Sequence, residues 1–84
     1  MKPATKEEII QQVNAFLVEK LDFEENVLQP EVELKMELGM TSIDAVEIAL
    51  FLKQTYGIEP QLPDVQAIIT LQDLYDYTEQ HQMK

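Results

Sequence analysis

The stretch Glu37–Glu59, ELGMTSIDAVEIALFLKQTYGIE, holds the residues most able to do chemistry in this chain of 84. A short polar step, Gly39-Met40-Thr41-Ser42, delivers a serine to the start of the most apolar segment. A hydroxyl at a helix start satisfies an orphan backbone N–H, so Thr41 or Ser42 is suited to capping. Covalent modification suits the position equally well. A phosphate ester on Ser42 would sit over free N–H groups and the positive end of the helix dipole. Physics permits both readings. Catalysis by Ser42 is a poorer fit, because a lone hydroxyl is a weak nucleophile without a base. The only histidine, His81, lies three residues from the C-terminus.

Composition removes other chemistries. The absence of cysteine excludes disulfides, thiolate metal sites and a cysteine nucleophile, and one histidine makes no zinc cluster. A calcium loop fails on inspection: Asp22, Glu24, Asn26 and Glu33 fall at positions 1, 3, 5 and 12, but Val27 stands where the sharp turn needs glycine, and position 9 is Pro30. Sixteen acids face six lysines, for a net charge of −10. Each half of the chain carries −5, so the whole body is acidic and no single tail. Such a field repels nucleic acid and anionic membrane and speeds encounter with basic protein surfaces. The N-terminus lacks the apolar run of a signal peptide, and no stretch approaches membrane-spanning length. The expectation is a soluble, cytoplasmic, single domain over residues 1–84.

Helices must position the serine. Thr5-Lys6-Glu7-Glu8 forms a capping box, and Ile9, Val13, Phe16, Leu17 and Leu21 follow at helical spacing, predicting a helix over 6–21. Residues 22–41 have no period, yet Leu28, Val32, Leu34 and Leu38 recur as apolar pegs in a long ordered loop. A second helix spans about 42–56 and stops at Gly57, suited to a left-handed C′ position. The linker IEPQLP reads as extended, Asp64–Ile69 as one or two helical turns, and Thr70–Asp73 as the cap of a last helix through Leu71, Leu74, Tyr75 and Thr78. No run alternates with period two. The fold class is all-α: a four-helix bundle of three main helices and one short one.

On a wheel of about 100° per residue, the second helix buries Ala45, Ile48, Ala49, Leu52 and Tyr56 on one side. Ile43, Val46 and Leu50 form a second apolar stripe beside Glu47. Burial beneath the loop and exposure as a docking strip edged by acids both account for that stripe. Phe51 falls in the middle of the polar side, which leaves it either an exposed ring for a partner's pocket or packed under the loop near Val32 and Leu34.

The segment resembles the core motif of acyl carrier proteins: Leu-Gly, two residues, serine, an aliphatic residue, an acid, then Val-Glu and an aromatic-Gly-Ile-Glu close. The order of helices, loop and proline-bearing linker, and the final ITLQDLYDY, extend the resemblance over the whole chain. It implies that Ser42 carries 4′-phosphopantetheine, placed there from coenzyme A by a phosphopantetheinyl transferase. The arm's thiol would hold acyl intermediates as thioesters for fatty-acid, polyketide or related biosynthesis. The protein itself would be no enzyme. Ile43, Val46 and Leu50 match the family's exposed docking strip, with Asp44, Glu47, Glu59 and Asp64 as acids facing basic mouths of acyl-loading, condensing and tailoring enzymes, and Phe51 as an added anchor. Phe16, Ile48, Leu52, Ile68 and Leu71 would line a shelter for the acyl chain, and the carrier would be a monomer. Thr41 and Ile43 depart from the family's usual aspartate and leucine around the serine. Phe51-Leu52-Lys53-Gln54-Thr55 departs from its acidic pattern, implying a specialised member. A carrier of amino-acid or peptidyl units more often shows Gly-Gly before the serine. An unmodified acidic adapter would use Ser42 as a cap alone.

Overall fold

Three threonines start the three long helices, each by the same reciprocal box. In the computed structural model, which describes residues 3–82, α1 runs Lys6–Leu21, α2 Ser42–Tyr56, α3 Leu62–Ala67 and α4 Leu71–His81. The side chains of Thr5, Thr41 and Thr70 accept from the N–H groups of Glu8, Asp44 and Asp73, whose carboxylates accept in return from the threonines' own N–H groups. No strand forms among the described residues; one isolated antiparallel bridge joins Glu33 and Thr70.

The expected bounds of α1 and α2 match, and Gly57 ends α2 at φ 71°, a left-handed conformation that glycine adopts without steric cost. The short helix differs. It starts at Leu62, two residues before the expected start, so Pro63 lies inside its first turn and the extended linker ends at Gln61. A first-turn proline removes an N–H that has no helical partner, which is why the ring does not exclude this start.

A single core joins the elements. Ile9, Val13 and Leu17 of α1 meet Leu71, Leu74 and Tyr75 of α4, with Ile48, Leu52 and Tyr56 of α2 beside them. The contact between α1 and α4 is the most extensive helix pair among the described residues. Polar ties reinforce it: Tyr75 donates to Asn14, Lys6 pairs with Asp76, and Gln82 both accepts from the N–H and donates to the carbonyl of Ala4.

The loop between α1 and α2 is ordered as expected. Leu28, Val32 and Leu34 are buried and Leu38 half-buried, with one 3₁₀ turn at Glu25–Val27. Its backbone is sewn to the start of α4: Leu71 and Gln72 donate to the carbonyls of Val32 and Pro30 at 3.0 and 2.8 Å, and Leu34 donates to Ile69 at 2.9 Å. Buried backbone groups need partners, and these bonds supply them without a sheet.

Candidate functional site

The four residues before α2 explain how Ser42 is presented. Gly39 turns the chain at φ 68°, a conformation that strains residues with a Cβ. Met40 then buries its side chain in the core while its N–H donates to the carbonyl of Leu34 at 3.0 Å. Thr41, extended at φ −95° and ψ 173°, is the cap. Ser42, the first helical residue, is therefore not the cap, and its side chain is exposed. No hydrogen bond engages its hydroxyl among the described residues, and the N–H groups of Ser42 and Ile43 also find no acceptor among them. A free hydroxyl over two unoccupied donors suits a phosphate ester.

Ser42 stands at the rim of a cavity of about 240 Å³. Ala45, Ile48, Ala49 and Leu52 form its α2 wall, and Leu62, Val65 and Gln66 its α3 wall. Leu34, Met40, Ile68 and Leu74 close the remaining sides. Two alanines four residues apart on α2 leave the space, because side chains at i and i+4 share one helix face. That i, i+4 alanine pair is the sequence signal for the cavity. Nothing comparable in the sequence marks Met40, Leu62 or Leu74 as lining. Of the residues expected to shelter an acyl chain, Ile48, Leu52 and Ile68 line this space. Phe16 and Leu71 do not: Leu71 is sealed in the α1–α4 core, and Phe16 stacks on Phe51.

That stack changes the reading of Phe51. Its ring lies 4.4 Å from Phe16 at an interplanar angle of 18° and meets Tyr56 edge-on at 5.9 Å. Phe51 is half-buried, stacked on Phe16 of α1 and packed against the core, and is not a free ring on a polar face. The wheel fails because α1 passes over a sector of α2 that the sequence marks as polar. Phe51→Ala is expected to lower the Tm of the isolated protein by several degrees in a calorimetric scan, as loss of an aromatic pair implies.

The second stripe of α2 faces solvent. Ile43, Val46 and Leu50 are 72%, 59% and 52% exposed. The acids expected to accompany the stripe are occupied to different degrees. Asp44 accepts from the Thr41 N–H at 3.1 Å, and Asp64 accepts from the Tyr77 hydroxyl at 3.1 Å. Glu59 pairs with Lys53 at 3.5 Å on an open surface. Glu47 is exposed and has no cation partner among the described residues. His81 stacks on Tyr77 at 4.2 Å, away from any role with Ser42. Among the described residues no cluster of potential ligands could hold a metal ion, and no helix is long and apolar enough to cross a membrane.

Comparison with known proteins agrees with this geometry. The phosphopantetheine attachment site family matches residues 11–78. The acyl carrier protein of Rubrobacter xylanophilus is 29% identical over 92% of this chain and 95% of its own. Those of Phytoplasma mali and Thermotoga maritima are each 30% identical, over 87% and 90% of this chain and 87% and 94% of theirs. Among solved structures, the apo doublet acyl carrier protein from prodigiosin biosynthesis superposes with a TM-score of 0.74 at 26% identity. That match covers 93% of this chain and 38% of the doublet.

Proposed function

The chain belongs to the acyl carrier protein family, and from that membership we propose that Ser42 is the residue that bears its 4′-phosphopantetheine arm. A protein of this family is a carrier and not an enzyme: it holds acyl groups as thioesters on the arm and presents them to biosynthetic enzymes. The observation that carries the assignment of Ser42 is the division of labour at the start of α2. Thr41 caps the helix, so the exposed hydroxyl of Ser42 is free for a transferase.

The test is direct. Incubation with coenzyme A and a broad-specificity phosphopantetheinyl transferase should add one arm by intact mass. A chain without cysteine should then titrate one thiol. Ser42→Ala should gain neither. An arm on the alanine variant, or none on the wild type with several competent transferases, would sink the assignment.

Docking is proposed to use Ile43, Val46 and Leu50 as the apolar contact, with Glu47 as the least committed charge of the rim and Asp44, Glu59 and Asp64 around it. Exposed charge steers association and weakens with salt, while apolar contact persists. Val46→Glu should therefore cut affinity for acyl-loading, condensing or tailoring enzymes while the isolated protein melts like wild type. Phe51 contributes through packing on Phe16 and not as an anchor. The cavity beside Ser42 is proposed to shelter the acyl chain, with Ile48, Leu52 and Ile68 against it. A ligand bound only to the native state raises stability by linkage, so acylated protein should melt above the form with a bare arm. The proposal includes one carrier domain over residues 1–84, acting as a monomer in the cytoplasm.

A further inference from the structure

The α3 wall of the cavity has little of its own to hold it. No residue of α3 is buried, the side chain of its cap Gln61 caps no helical N–H and donates instead to the carbonyl of Glu59, and Leu62 is 69% exposed. Six residues are too few to be stable as an isolated helix. Among the described residues, one side-chain bond does reach it from the body: the Tyr77 hydroxyl of α4 donates to Oδ2 of Asp64. Tyr77 is itself fixed, stacked on His81 at an interplanar angle of 22°. Burial, with Asp64 beside it, raises the phenol above its ordinary 10.0, so the donor stays protonated through the neutral range.

We infer that the Tyr77–Asp64 bond is a latch holding α3 over the cavity, and that it limits the length of acyl chain the protein shelters. The selection half rests on the sheltering reading above; the latch half does not. While α3 is latched, the space ends at Leu62, Val65 and Gln66. A chain that outgrows this space must push α3 outwards and break the bond. Stabilisation should therefore rise with chain length and level off where the wall begins to yield. Tyr77→Phe keeps the ring and its stack and removes only the donor. Asp64→Asn keeps an amide oxygen as acceptor, and Asp64→Ala removes it.

Amide exchange in the unmodified protein tests the latch. The Val65 and Ile68 N–H groups, bonded within and just beyond α3, should exchange about two- to tenfold faster in Tyr77→Phe and Asp64→Ala, the range a single net hydrogen bond supports. Asp64→Asn should stay near wild type, and Val13 in α1 should not change. Equal α3 exchange in wild type and Tyr77→Phe overturns the latch. So does a rise in Asp64→Asn as large as in Asp64→Ala, because it would point to charge and not to the bond. Melting a series of saturated acyl forms from four to sixteen carbons tests selection. The plateau should move by at least two carbons towards longer chains in Tyr77→Phe. A graded wild-type series that the variant leaves in place overturns the limit on length. A wild-type series flat in length removes the sheltering reading and the selection with it, while leaving the exchange result to stand for the latch.

Discussion

At the start of α4, the first two helical N–H groups, of Leu71 and Gln72, donate to loop carbonyls of Val32 and Pro30. At the start of α2, the equivalent groups of Ser42 and Ile43 meet no acceptor among the described residues. Both helices open on Thr-x-x-Asp with the same reciprocal bonds. The first helical side chain is fully buried in one case, Leu71, and exposed in the other, Ser42. One motif thus builds a seam of the core and, elsewhere, a place to attach a group. Local capping is indifferent to the outcome. What differs is whether another segment covers the helix end, and the long loop covers only α4.

Substitutions at matched positions should separate the two ends. Leu71→Ala is expected to cost about 2–5 kcal/mol, as for other large-to-small changes in a packed core. Ser42→Ala should fall within about 0.5 kcal/mol of wild type. Urea denaturation reads both, and similar losses at the two positions would break the comparison.

The caps give a smaller contrast. Thr70→Ala and Thr41→Ala each remove a bond worth about 0.5–2 kcal/mol. Only the first should also speed amide exchange at Leu71 and Gln72, because only there is the helix end sewn to a loop. An exchange map showing the same local fraying at both ends would count against that distinction.

Acid should loosen α4 at its start. The Thr70 and Ile69 N–H groups that bond Asp73 hold its carboxyl below the ordinary 3.8. A depressed folded value means the contribution is complete above pH 3.8 and is lost as pH falls through the lower folded value. Resonances of Thr70 and Ile69 should follow that titration in a pH series, and in Asp73→Asn they should not. The smallest effect belongs to the arm itself. Attachment at Ser42 should shift the amide signals of Ser42 and Ile43 through the ester's charge, and leave those of Leu71 and Gln72 in place.

Much of this protein follows from short-range rules. The boxes at Thr5 and Thr70, the apolar spacing from Ile9 to Leu21 and the stop at Gly57 are each complete within a few residues, and the structure reproduces them. The Leu-Gly-x-x-Ser segment likewise marks its family without reference to any contact. Other features are decided across space. The wheel assigns Phe51 to a polar side because it counts only neighbours on its own helix, and Phe16 of α1 overrides it. Thr41 and Ser42 are both good caps by type; the extended backbone at Thr41, placed by the turn at Gly39 and the burial of Met40, assigns the task to Thr41. Exposure of Ile43, Val46 and Leu50 depends on which segments come to lie over that face of α2, and the loop is bonded to the start of α4. Periodicity encodes which side chains share a face, because that depends on a helix's own 3.6-residue turn. Which face is then covered depends on where distant segments find carbonyls, donors and apolar surface to meet, and only the assembled bundle settles that.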